Sequence, residues 1–259
     1  MVDIVVNGRL FPNIQLIAFD KDGTLLDFHQ MWGQKAHLWI EWLVEQVGSE
    51  VDEVNGRQSL HQALAHTLGY NPATQHIIED SPMAVASMPR LTHIAATVLY
   101  QHGIGWHEAE QVAQKSMLAN ISAPPTADLI KPIGDVAGTM AQLAQAGVQL
   151  AIVTSDDRAA SEATLSLLGI EHLIDMLICG NDDIANKPAP DALWQIGKQF
   201  NIDPAHMLMV GDTISDMIFG HRAGVAGCIG IRGGAGNQTA LVEQADEIIN
   251  TIEGIQVIV

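Results

Sequence analysis

The chain has 259 residues, 47% of them hydrophobic and only 16% charged, which suits one or two domains with a buried core and excludes a disordered chain. Lys and Arg number 12 against 30 Asp and Glu, a formal net charge of −18, which argues against docking on nucleic acid or an anionic membrane. Cys179 and Cys228, the two cysteines, cannot form a disulfide scaffold and read as reduced core thiols; with no basic-then-apolar leader and no run of about 18 apolar residues, the expectation is a soluble cytoplasmic protein.

In chain order, residues 14–20 predict a short buried strand. Residues 28–132 then carry only helical patterns: Trp32, Ala36, Trp39, Leu43 and Val47 recur on one helix face, Pro82 and Pro89 mark helix starts, and Gly103 marks a stop. A helix follows from Asp135, with Val136, Met140, Leu143 and Ala144 on one side and Gly147 as its stop. Strands are expected at 148–154, 173–179, 206–211 and 225–231. Between the later ones lie a helix opened by Pro190, carrying Leu193, Ile196 and Phe200, and another from Thr213 to Gly224. Strands apolar on both faces and alternating with helices predict an α/β protein with a doubly wound parallel sheet. The expected organisation is a core of residues 1–27 and 133–259, with residues 28–132 inserted as a second, smaller all-helical domain. The insert holds 5 basic and 10 acidic residues and the rest 7 and 20, so the acidic excess of −13 against −5 sits in the sheet domain. The glycine-rich run from Gly230 to Gly236 lacks the spacing of a nucleotide loop and reads as a flexible connection before a last helix.

The chemistry concentrates at strand ends. The first strand closes in Asp20-Lys21-Asp22-Gly23-Thr24, and the strand at 206–211 closes in Gly211-Asp212-Thr213-Ile214-Ser215-Asp216. Singly, each is explained by an Asp-Gly turn or a helix cap. Converging on one crevice, where doubly wound sheets bind ligands, each close pair of carboxylates repels by about 4 kcal/mol at an effective dielectric near 20. A cation offsets that cost, and an all-oxygen donor set points to Mg²⁺. The 11 histidines show no metal-ligand spacing and mostly read as surface or helix-end residues. Thr154-Ser155 at another strand end, and Lys187 before Pro188, supply the hydroxyls and fixed ammonium that a phosphate requires.

These residues resemble the motifs of the haloacid dehalogenase (HAD) superfamily, in the subgroup with a helical cap inserted after the first motif, and look phosphoglycolate phosphatase-like. Asp20-x-Asp22-Gly23-Thr24, Thr154, Lys187 and Gly211-Asp212-x-x-x-Asp216 match in order, and the resemblance spans residues 14–250. It implies a hydrolase of phosphoric monoesters: Asp20 as the nucleophile that becomes an aspartyl-phosphate, Asp22 as general acid and then base, Thr154 and Ser155 on phosphate oxygens, and Lys187 offsetting charge. It also implies Mg²⁺ held by Asp20, the Asp22 backbone carbonyl and Asp212. Asp216 joins this metal group directly, through water, or by orienting Lys187. Because Asp22 is present, the dehalogenating, phosphonate-cleaving and ion-pumping branches are disfavoured.

What remains is a phosphatase for a small phosphorylated metabolite, phosphoglycolate-like or sugar-phosphate-like. The alternatives are a phosphomutase similar to β-phosphoglucomutase and a non-catalytic binding module. The expected partner is that small molecule, with no nucleic acid or membrane, in a monomer or homodimer. Lys21 departs from the family's usual apolar residue, either adding charge near the site or lying along the surface. Ser155 stands where Asn is commoner. His29, Trp32, Arg90 and His93 on the cap, and Arg158 beside Thr154, are the candidate specificity residues, although Trp32 also fits an apolar stripe.

Overall fold

The computed structural model describes residues 1–47 and 55–258. The chain opens with β1 (Val2–Val6) and β2 (Arg9–Ile14), joined at Asn7-Gly8, both with positive φ. Two left-handed residues are what a tight hairpin turn requires, so this pair follows from a local signal outside the expected strands. β3 (Leu16–Phe19) starts after Gln15.

The inserted segment contains α1 (Gln34–Val47), α2 (Asn55–Leu68), the two-residue strands β4 (Tyr70–Asn71) and β5 (His76–Ile77), α3 (Pro82–Val85), α4 (Met88–Gln101) and α5 (Trp106–Ser116). The β4–β5 hairpin corrects the expectation of purely helical structure here, because strands of two residues are too short to show alternation. Ser81 and Ser87 precede α3 and α4 with proline in the first turn, and Gly103 follows α4 with φ of 95°.

After the insert come α6 (Val136–Gln145), β6 (Gln149–Val153), α7 (Arg158–Leu167), β7 (Met176–Ile178), α8 (Asp191–Phe200), β8 (Met207–Gly211), α9 (Ile214–Ala223), β9 (Gly227–Ile231), α10 (Gln238–Gln244), β10 (Glu247–Ile249) and β11 (Ile255–Ile258). The described residues divide into two compact units: Met1–Phe28 with the segment from Pro124 onward, and His29–Ala123. Residues 124–132, expected in the insert, group with the sheet unit. There the Asp27 N–H donates to the Lys131 carbonyl at 2.9 Å and the Lys131 ammonium meets Asp27 at 2.9 Å.

In the sheet unit, six parallel strands run in the order β10-β9-β8-β3-β6-β7. Alternate residues of β3 serve two cores. Ile17 and Phe19 pack with Val136, Met140 and Leu165 of α6 and α7, and Leu16 and Ala18 pack with Leu193 of α8 and Phe219 of α9. Double-sided burial is why these strands read as nearly unbroken apolar runs. The first core also takes Ile4, Phe11 and Ile255 from a three-stranded antiparallel sheet, β11-β1-β2, which joins the two ends of the chain. Cys179 and Cys228 are buried and free. No helix among the described residues is long and apolar enough to cross a membrane.

Leu208 of β8 is fully buried in the first core. Leu208→Ala should therefore lower unfolding free energy by about 2–5 kcal/mol, measured by urea denaturation with an unchanged m-value.

Candidate active site

Three strands of the sheet deliver the site residues at their C-terminal ends. Asp20 follows β3, Thr154 follows β6 and Asp212 follows β8. The Asp20 N–H donates to the Val210 carbonyl at 2.8 Å, which locks the β3 terminus to β8. Gly23 has φ of 89°, a conformation L side chains avoid, and a Cβ there would collide with the Asp212 carboxylate. The Asp-Gly turn thus brings the first motif against the fourth.

Carboxylate oxygens of Asp20, Asp212 and Asp216, all buried, lie within 4.8 Å of one another. Lys187, its side chain only 6% exposed, bridges Asp20 and Asp216, with Nζ 2.7 Å from Asp216 Oδ1. Asp216 turns its other oxygen onto Thr213, accepting from Oγ1 at 2.6 Å and from the N–H at 3.1 Å, while its own N–H donates to Thr213 Oγ1. This is a capping box at the start of α9. Asp216 therefore both caps the helix and holds the ammonium.

Asp212 accepts from the Ala235 N–H at 2.6 Å and from Thr24 Oγ1 at 3.3 Å. The run expected to be a free connection is instead folded over this carboxylate: Gly234, Ala235 and Gly236 are buried, and a Cβ at Gly234 would overlap Asp212. The signal was the glycines themselves, whose missing side chains let backbone approach a carboxylate.

A second network adjoins the first in sequence. Lys21 is fully buried, and its ammonium bonds both oxygens of Asp22 at 2.7 Å and Asp156 at 3.1 Å. It does not lie along the surface. The Asp156 N–H in turn donates to Thr154 Oγ1 at 3.2 Å, so Lys21 and Asp156 connect the first motif to the second. Burial alone would depress the Lys21 ammonium, but Asp22 and Asp156 outweigh it and raise its pKa. Asp156 and the buried state of Lys21 had no local signal, since both depend on strands 135 residues apart. Ser155 is exposed.

Arg158 is tied to its neighbours in the sheet unit. Its guanidinium grips Asp182 at 2.6 and 3.1 Å and the Leu177 carbonyl at 3.0 Å, and that hydrogen-bonded pairing holds the Asp182 carboxyl below its ordinary range. The remaining specificity candidates belong to the other unit. His29 stacks on His76 at 4.4 Å, and Trp32 is buried beneath the Lys35 ammonium, 5.2 Å from its ring. Arg90 and His93 are exposed on α4.

The cluster's electrostatics follow from its burial. Desolvation, reinforced by Asp216 and Asp22 and opposed by Lys187, pushes Asp20 up to about 7. Desolvation together with Asp20 and Asp216 drives Asp212 well above the carboxylate range. Burial works against the Lys187 ammonium too, yet Asp20 and Asp216 prevail and raise its pKa. Three carboxylates and one ammonium sum to −2 when ionised, the complement of one divalent cation. The donors are hard oxygens without nitrogen or sulfur, a set that fits Mg²⁺.

The linkage sign is unusual for carboxylates. Because the folded Asp20 holds its proton more tightly than the unfolded chain does, the metal-free protein should lose stability as pH rises from about 4 to 7, on the order of a few kcal/mol. Asp212 acts in the same direction. Thermal melts across that window, with and without Mg²⁺, check this: the ion should restore stability at the alkaline end, and a metal-free protein that gains stability with pH would contradict the cluster's electrostatics.

Comparison with known proteins agrees with this constellation. Residues 14–224 match the profile of the haloacid dehalogenase-like hydrolases. The chain is 30% identical over 252 residues to a phosphoglycolate phosphatase of Neisseria gonorrhoeae, covering 94% of this chain and 92% of that protein. A phosphoglycolate phosphatase of Haemophilus influenzae is 35% identical over 92 residues, and there the chain spans only 41% of the relative's length, against 36% of its own. Among solved structures, a predicted phosphoglycolate phosphatase from Haemophilus somnus 129pt superposes with a TM-score of 0.64 at 18% identity, covering 93% of this chain and 95% of that one. The match across most of the chain, on a six-stranded parallel sheet that gathers the acidic motifs, establishes that the protein belongs to the haloacid dehalogenase-like hydrolase family.

Proposed function

We propose that the protein is a Mg²⁺-dependent phosphatase that hydrolyses a small phosphorylated metabolite of the phosphoglycolate type through an aspartyl-phosphate on Asp20. The observation that carries this reading is the buried Asp20–Asp212–Asp216 cluster with Lys187 bridging two of its members. The substrate class rests on curated relatives, among them the one aligned over 94% of the chain.

In the first step an Asp20 carboxylate oxygen attacks phosphorus, the ester P–O bond breaks, and Asp22 gives a proton to the leaving oxygen. In the second, Asp22 takes a proton from water as its oxygen attacks phosphorus, releasing inorganic phosphate and restoring Asp20. Lys187, fixed by Asp216, offsets charge on Asp20 and the transferring group. Thr154, held against the Asp156 N–H, and Ser155 at the open edge donate to phosphate oxygens. Lys21 positions Asp22 by bonding both its oxygens. Asp20, Asp212, the Asp22 carbonyl and Asp216, directly or through Lys187, would hold the ion, which when bound supplies positive charge shared by the nucleophile and the phosphoryl oxygens. The helical insert is read as a cap, with His29, Arg90 and His93 as its specificity candidates.

The deciding experiment is phosphate release from phosphoglycolate, sugar phosphates and p-nitrophenyl phosphate with Mg²⁺ present. Turnover should cease on chelation. Asp20→Asn should reduce kcat by roughly 10³-fold or more while the fold keeps or gains stability at pH 8, since a buried charge is removed. Undiminished release by that variant would exclude the covalent role, and an isomerised phosphate ester without net release would replace hydrolysis by the mutase reading.

A further inference from the structure

Away from the carboxylate cluster, three side chains of different ligand chemistry meet near the C-terminal end of α9. His221 lies in the last turn of α9, Cys228 in β9, and Asp246 directly before β10. His221 Nδ1 is 3.8 Å from Cys228 Sγ, and one ligand atom from each of the three residues lies within 4.8 Å of the others. His221 Nε2 is 2.8 Å from the Gln244 carbonyl. A carbonyl only accepts, so in the neutral ring Nε2 carries the proton and Nδ1 turns its lone pair toward the thiol. Metal-bound imidazoles are held this way, the second nitrogen donating to a backbone carbonyl.

The other two groups are equally fixed. Asp246 accepts from the Cys228 N–H at 2.9 Å and from Arg9 at 2.9 Å, each oxygen keeping a further lone pair. Cys228 Sγ lies 3.6 Å from the Met217 carbonyl, and a Cβ at Gly220 would collide with it, so α9 leaves room for the sulfur. The carbonyl end of α9 favours a cation nearby, whereas Arg9 opposes one.

We propose that His221, Cys228 and Asp246 form a binding site for a thiophilic divalent cation such as Zn²⁺, with its fourth position open to solvent. Thiolate, imidazole and one carboxylate select Zn²⁺ over Mg²⁺, the opposite preference to the all-oxygen cluster. The Nδ1–Sγ separation suits neighbouring corners of a tetrahedron with bonds of about 2.0–2.3 Å. Binding breaks the S–H bond and releases that proton to solvent. Burial, aided by Asp246 and Asp216, pushes the thiol up to about 12, so without an ion it stays protonated. His221 is exposed and Asp246 half-buried, whereas the sulfur is buried, so an ion would meet the imidazole and the carboxylate first. A bound ion would tie α9 to β9 and to the start of β10.

The test titrates the full chain, in excess Mg²⁺, with Co²⁺ as a spectroscopic stand-in for Zn²⁺. One equivalent should produce a thiolate-to-cobalt charge-transfer band with tetrahedral d–d absorption, both displaced by one equivalent of Zn²⁺. Cys228→Ser should abolish the charge-transfer band and Cys179→Ser should leave it intact. His221→Gln, at an exposed position, should weaken Co²⁺ binding at least about 10-fold and decides the matter even if Cys228→Ser does not fold. Absence of the band at saturating Co²⁺, its survival in Cys228→Ser, or unchanged affinity in His221→Gln would each overturn the site.

Discussion

The ammonium of Lys187 between Asp20 and Asp216 is the interaction on which the site depends. Three carboxylates whose oxygens lie within 4.8 Å repel pairwise by about 3 to 4 kcal/mol at an effective dielectric near 20. One buried lysine reduces that repulsion without cancelling it. The result is a pocket that retains protons when empty and has the charge deficit of one divalent ion when ionised. Burial and mutual repulsion leave both Asp20 and Asp212 reluctant to ionise without a compensating cation.

The parallel sheet makes that crowding tolerable. Both of its faces are covered, so β3, β6 and β8 are rigidly spaced and their ends cannot relax apart. Each acidic group then has backbone or capping donors of its own. Asp216 is satisfied by Thr213, and Asp212 by Thr24 and the Ala235 N–H. On the neighbouring strand end, Lys21 and Asp156 fix Asp22 and Thr154 through a separate chain of contacts. Two lysines thus divide the acids into two partly compensated groups, one around Asp20 and one around Asp22.

Much of this was legible. The two acidic strand ends, the hydroxyl at Thr154 and the lysine before Pro188 stand out because strand–loop–helix units place their functional residues at the same edge. The core helices were legible from Leu193, Ile196 and Phe200, and from Gly147 and Gly224 as stops. Other features were hidden. β4 and β5 are too short for periodicity, and β10 and β11 owe their pairing to β9 and β1 rather than to their own pattern. The Asn7-Gly8 turn is a local hairpin signal that lies before the expected strand at 14–20. For Lys21 the sequence left two readings open, charge near the site or a place along the surface, because lysine is usually exposed; only Asp22 and Asp156 around it decide for the first.

By itself the sequence determined which side chains could do the chemistry and the order in which strands and helices deliver them, since residue type and hydrophobic period are local properties. The tertiary structure alone decided which acids share a charge, which lysine serves which carboxylate, and that Gly234 and Ala235 close over Asp212. It also decided that His221, Cys228 and Asp246 meet. These are distances between segments far apart in the chain, and electrostatic energy depends on such distances and on exclusion of water, neither of which is encoded in any single stretch of residues.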